Sequence, residues 1–159
     1  MLYIAHDVPD PFGFLFMTKA ILLVEDNFQD EKLIFRALGK IGLADQVEVM
    51  RDGQQALDYL FREGEFHNRP GQGQPNVVLL DINMPKVGGI EVLKRIKSDS
   101  RTRLIPVVIL TSSDDPGDRQ SCYGHGANSF VQKPVDYTEF AECLKHLAVY
   151  WRGVNSPPF

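Results

Sequence analysis

The sequence predicts an α/β protein built on a parallel β-sheet with helices covering both faces. Three observations carry that prediction. Continuous apolar runs stand at residues 20–24, 77–80 and 106–110, as strands buried on both faces require. Between and after these runs, apolar residues recur at the spacing of helix faces. Strand and helix therefore alternate five times along the chain, a pattern that calls for parallel strands joined by right-handed helical crossovers.

The first strand, residues 20–24, ends abruptly in Glu25, Asp26 and Asn27. Leu33, Ile34, Ala37, Leu38 and Ile41 then share one face of a helix that Gly42 stops. Residues 47–50 alternate as a short strand does. Asp52 and Gln55 form a capping box, opening a helix that buries Ala56, Leu57, Leu60 and Phe61. Residues 64–76, with Gly64, Pro70, Gly71, Gly73 and Pro75, have the composition of a surface loop near the upper end of the usual length.

Residues 77–80 form the third strand, ended by Asp81, and residues 84–89 turn the chain into a helix with Ile90, Leu93 and Ile96 on one face. In the fourth strand Pro106 takes the first position, where no interior ladder donor is lost. A polar, weakly anchored helix starts at Pro116 with Asp115 as its cap, and Gly124 and Gly126 end it. Residues 129–132 are the fifth strand. A second capping box, Asp136 with Glu139, precedes a helix burying Phe140, Cys143, Leu144 and Leu147.

At 159 residues the chain fits one domain with a single sizeable core. A net charge of -4 argues against a nucleic-acid-binding face, which needs clustered basic residues. No apolar run approaches the roughly 20 residues that span a bilayer. The apolar stretch at residues 12–16 follows no Lys or Arg cluster, so it does not read as a signal peptide. Cys122 and Cys143 form no CxxC and read as small core residues in a reducing, cytoplasmic setting. There is no GxxxxGK[ST] loop, and His6, His67, His125 and His146 lack metal-ligand spacing. Residues 1–18 read as an N-terminal extension, with Met17 an alternative start, residues 19–149 as the domain, and residues 150–159 as a C-terminal tail.

The chemistry lies in the residues that end the strands. Glu25 and Asp26 follow the first, Asp81 the third, Thr111 the fourth and Lys133 the fifth. In a parallel sheet these ends share one rim, and ligands bind there. Singly, each has an ordinary explanation: Asp26 as a turn or cap residue, Thr111 as a helix entry, Lys133 as a solvated loop lysine. Together they describe a site. Three gathered carboxylates repel one another unless a positive charge intervenes, and a hard cation such as Mg²⁺ prefers such oxygen ligands. Lys133 adds a mobile positive charge, and the Thr111 hydroxyl is suited to bond a phosphoryl oxygen.

The segments Val-Glu25-Asp26-Asn, Leu-Asp81-Ile-Asn-Met84-Pro85-Lys-Val-Gly88-Gly89, Leu-Thr111-Ser-Ser and Phe130-Val-Gln-Lys133-Pro134 resemble the motif set of bacterial response-regulator receiver domains. The resemblance runs over about residues 19–149. It implies a flavodoxin-like (βα)5 three-layer sandwich with a five-stranded parallel sheet in the order 2-1-3-4-5. It also implies that Asp81 accepts a phosphoryl group from a sensor histidine kinase. Asp26, the Asp81 side chain and the backbone carbonyl of Asn83 would bind Mg²⁺, with Glu25 acting through water. Lys133 would pair with the phosphoryl oxygens beside a cis Lys133–Pro134 bond. Thr111 would move toward the phosphoryl group and Phe130 would turn into the vacated space, unless Phe130 is simply a packing aromatic.

The long loop at residues 64–76 and the tail from Tyr150 resemble the stand-alone regulators paired with bacterial phytochromes. That implies no attached output domain, a phytochrome-type kinase as partner, and a homodimer using the fourth helix, fifth strand, fifth helix and tail. Tyr150 and Trp151 are its candidate anchors; Trp151 is equally suited to covering its own core. The message would leave through residues 115–151. Two alternatives stand beside this reading. A phosphatase of the haloacid-dehalogenase type also attacks through a strand-end aspartate, but it generally carries a second aspartate two residues on, where this chain has Asn83. The other is a receiver-like interaction module that is never phosphorylated.

Overall fold

Alternate residues of one apolar run feed two different cores. Leu22 and Val24 join one buried cluster with Leu57, Leu80, Leu93, Ile96 and Ile109. Ile21 and Leu23 join another with Ile34, Leu38, Leu79, Leu110, Phe140 and Leu144. Successive side chains of a strand point to opposite faces, so a strand covered on both sides must be apolar throughout. The computed structural model describes residues 20–69 and 73–159. The expected extension at residues 1–18, with the alternative start at Met17, lies outside the described residues.

The strands are β1 (Ile21–Val24), β2 (Val47–Met50), β3 (Val77–Leu80), β4 (Val107–Thr111) and β5 (Ser129–Gln132). All pair in parallel in the order β2-β1-β3-β4-β5. Ile21 stands opposite both Val47 and Val77, and Thr111 stands opposite Gln132. The helices are α1 (Phe28–Gly39), α2 (Gly53–Phe61), α3 (Gly89–Ser98), α4 (Pro116–Gly124) and α5 (Tyr137–Val149). Helices α1 and α5 cover one face, and α2, α3 and α4 the other. Among the described residues no helix is long and apolar enough to cross a membrane.

Several local expectations are refined. Helix α1 ends at Gly39, because the Leu43 amide folds back onto the Leu38 carbonyl at 2.9 Å. Ile41 is consequently left 37% exposed, and Gly42 takes the turn at φ +74. At α2, Asp52 accepts from the Gln55 amide as expected, but the Gln55 side chain accepts from the Arg51 amide rather than from Asp52. Phe61 is half-buried, its ring face under the Arg101 guanidinium. Strand β4 begins at Val107, and the carbonyl of Pro106 accepts from Val78 just before it.

The described part of the 64–76 loop is anchored: Phe66 meets Tyr59 edge-on at 5.4 Å, and the Arg69 guanidinium lies 4.2 Å over the same ring. After Val149 the chain continues as one π-helical turn, Tyr150–Val154, closed by the Asn155 amide on the Tyr150 carbonyl at 2.7 Å. The expected cis Lys133–Pro134 bond is absent; the described residues contain no cis peptide. Trans is the default even before proline. Here the Lys133 amide reaches the Thr111 carbonyl at 2.7 Å with the bond trans.

Candidate functional site

Three of the rim residues are each pinned by a hydrogen bond that carries the sheet ladder a step past its strand. The Glu25 amide donates to Met50 (3.0 Å), the Asp81 amide to Val24 (3.1 Å), and the Lys133 amide to Thr111 (2.7 Å). Backbone pairing thus brings together side chains more than a hundred residues apart in sequence, as in the Lys133–Glu25 contact. Gly89 closes the floor. A Cβ there would stand 2.0 Å from the Asp81 carbonyl oxygen, so only glycine lets α3 start this close to β3.

Glu25, Asp26 and Asp81 each offer a carboxylate oxygen within 4.8 Å of the others. Glu25 and Asp81 are buried, while Asp26 is exposed. The Lys133 ammonium is driven among the acids, 2.6 Å from Glu25 Oε2, 2.8 Å from Asp30 Oδ2 and 3.0 Å from Asp81 Oδ2. The remaining Glu25 oxygen accepts from the Asn27 amide, and Asp81 Oδ1 accepts from the Asn83 amide. Burial alone would push the lysine down, but Asp30, Glu25 and Asp81 together hold it above the ordinary lysine range. Burial pushes Glu25 up to about 7, against the pull of Lys133.

Asp26, Asp81, Asn83, Lys133 and Ser112 line an open cleft of about 490 Å³. A larger groove of about 720 Å³ lies along α5 and the tail, lined by Cys143, Leu147, Tyr150 and Trp151 among others. The smaller cleft, and not the larger groove, is where charged side chains converge. Thr111 is fully buried, its hydroxyl accepting from the Ser113 amide at 3.2 Å. Phe130 is half-buried on β5 beneath the Arg119 guanidinium, 5.5 Å from the ring centroid. Tyr150 and Trp151 meet edge-on at 5.0 Å. Trp151 packs against the α1–α5 core, and Tyr150 is 48% exposed.

Asp30 is the site residue that sequence reasoning missed. Its position in the first turn of a helix leaving the active rim was the available signal, but acids there ordinarily serve the helix dipole. The donor set near Asp81 consists of carboxylate oxygens, which suits a hard, oxygen-seeking cation such as Mg²⁺ or Mn²⁺.

A doubly covered parallel sheet in the order β2-β1-β3-β4-β5 is the flavodoxin-like class of fold. Within it, the chain belongs to the response regulator receiver domain family, whose profile matches residues 21–145. It is 40% identical over 152 residues to the probable methanogenesis regulatory protein FilR2 of Methanothrix harundinacea, covering 96% of this chain and 91% of that one. Rcp1 of Synechocystis is 34% identical over 133 residues, 84% of this chain and 88% of the relative. The solved Mn²⁺-bound form of Rcp1 superposes with a TM-score of 0.81 at 33% identity, over 89% of this chain and 99% of that one. The phosphorylated cyanobacterial phytochrome response regulator RcpA gives a TM-score of 0.82 at 36% identity, with the same coverage. The protein is thus a receiver-domain response regulator of two-component signalling, homologous to phytochrome response regulators. That membership sets aside the haloacid-dehalogenase reading.

Proposed function

We propose that Asp81 is the phosphoacceptor, taking a phosphoryl group from a phosphohistidine of a sensor kinase of the phytochrome type. The observation that carries this reading is the Lys133 ammonium at 3.0 Å from Asp81, with the Glu25 and Asp26 carboxylates alongside and the cleft open beyond. An Asp81 carboxylate oxygen attacks phosphorus, the phosphorus–nitrogen bond breaks, and its electron pair returns to the imidazole. The chain contributes positioning and charge rather than a general acid. Lys133 stands where the phosphoryl oxygens arrive and exchanges its bond to Asp81 for bonds to them. Asp26, the Asp81 side chain and the Asn83 carbonyl would hold Mg²⁺, which would supply positive charge to neutralise the incoming group. Glu25, tied to Asn27 and Lys133, would act on that ion through water.

The aspartyl phosphate carries about two negative charges where there was one. Thr111 gives up the Ser113 amide for a phosphoryl oxygen, and Phe130 turns inward behind it. Turnover is confined to Asp81 itself, so the protein acts as a switch and not on an outside substrate. Its domain spans residues 19–149, between an extension at 1–18 and a tail at 150–159, and it works in the cytoplasm. Homologous phytochrome regulators favour the phytochrome pairing. The apolar groove beside Tyr150 favours a homodimer through α4, β5, α5 and the tail.

Incubation with acetyl phosphate, followed by intact-mass measurement, tests the reading. Wild type should gain one phosphoryl group with Mg²⁺ and little without it, and Asp81→Asn should gain none. Wild type left unmodified with Mg²⁺ would instead favour the non-phosphorylated interaction module.

A further inference from the structure

Helix α4 is held by few apolar contacts. Cys122 is its one buried residue, and its exposed face carries Arg119 and Tyr123. Beside that anchor, a chain of contacts links the helix to the rim. The Thr111 hydroxyl accepts from the Ser113 amide, and the Ser113 hydroxyl donates to Asp118 Oδ2 at 2.6 Å in the first turn of α4. The next residue, Arg119, lies over the ring of Phe130. Phe130 in turn stands opposite Ile109 in the β4–β5 register, two residues before Thr111, and packs against the core.

We infer that Asp118 and Arg119 form a latch that keeps Phe130 in its half-buried position under the guanidinium, and α4 in place, while Asp81 is unphosphorylated, and that Arg119 is the positioning residue of the switch. The inference rests on the reading of Asp81 as phosphoacceptor and names the regulation of that site. Its physical basis is a contact present in one state only. Phe130 cannot turn into the space behind Thr111 and keep its face under the guanidinium. Thr111 cannot bond a phosphoryl oxygen without disturbing the amide that aims Ser113 at Asp118. A contact made in one of two states biases the equilibrium by its own strength and no more. For an exposed cation over a phenyl ring that bias is roughly two- to five-fold.

The test uses the full chain with Arg119→Gln, Arg119→Lys and Phe130→Leu. Two quantities are read: hydrogen exchange of the α4 amides without phosphorylation, and the rate of Asp81 phosphorylation by acetyl phosphate with Mg²⁺. Arg119→Gln should raise both by two- to five-fold. Arg119→Lys, which keeps a cation over the ring, should stay near wild type. In a Phe130→Leu background Arg119→Gln should add nothing. If Arg119→Gln matches wild type in both readouts, or if its effect persists without Phe130, the latch is overturned. An effect shared by Arg119→Lys would reduce Arg119 to ordinary helix packing and also overturn it. Wild type that takes no phosphoryl group would overturn the reading of Asp81 itself, an outcome distinct from a phosphorylated wild type that Arg119→Gln merely matches.

Discussion

The Lys133 ammonium lies 3.0 Å from Asp81 Oδ2 and is shared with Glu25 and Asp30, one buried cation against three carboxylates. Removing it strands charge inside the protein, and breaking a buried ion pair from one side costs about 3–5 kcal/mol. Lys133→Met should therefore lose about 3 kcal/mol of stability at pH 7.5 by urea denaturation. Mg²⁺ should restore more stability to this variant than it adds to wild type. A variant as stable as wild type in metal-free buffer would contradict the arrangement.

Glu25 gives the rim a pH signature. An unfolded glutamate ionises near 4.5, whereas burial raises the folded one to about 7. Between those values the folded chain keeps a proton that the unfolded chain has released. Stability from this group is therefore full below pH 4.5 and falls as pH rises toward 7, by about 3 kcal/mol in all. Metal-free wild type should show this decline in a urea series, and Glu25→Gln should flatten it. Mg²⁺ should flatten it as well, because a nearby cation favours the ionised carboxylate.

Gly89 should resist the smallest substitution. A Cβ there meets backbone, the Asp81 carbonyl oxygen at 2.0 Å and the Ile82 Cα at 2.7 Å, and neither can swing aside. Gly89→Ala should cost about 2–3 kcal/mol, in the range of overpacked cores. It should also slow Asp81 phosphorylation, since relief requires moving the strand end that carries Asp81. Unchanged thermal stability would refute the close approach.

Trp151 and Tyr150 should separate folding from association. Trp151 packs on its own core, so Trp151→Ala should lower stability by about 2 kcal/mol, less than a fully buried aromatic loses. Tyr150 is half-exposed beside the apolar groove. Tyr150→Ala should leave stability within about 0.5 kcal/mol while shifting sedimentation equilibrium toward monomer. A Tyr150→Ala protein that sediments as wild type would remove this residue from the proposed dimer interface.

The strands and most of the site were legible because their signals are local. An apolar run broken by Asp81 or Glu25 announces both a buried strand and its reactive end. Asp30 was hidden because its importance comes from Lys133, 103 residues away, while its immediate neighbours look like any helix start. The Arg119–Phe130 contact was hidden for the same reason: it joins an exposed helix face to an edge strand. Ile41 misled because helical spacing persists in the sequence after tertiary folding turns the chain back at Leu43. Gly89 was read as a turn residue, yet its role is the close contact of two backbones. The cis bond expected at Pro134 was borrowed from resemblance, and no feature of the sequence itself required it.

Residue-level mapping of the phosphorylated carboxylate tests the central claim most directly. The protein would be treated with acetyl phosphate and Mg²⁺, then reduced with borohydride, which converts an aspartyl phosphate to homoserine. Peptide mass spectrometry should find homoserine at position 81 alone. Conversion at Asp26, Asp30 or any other aspartate, with position 81 unmodified, would contradict the assignment of Asp81 as the acceptor.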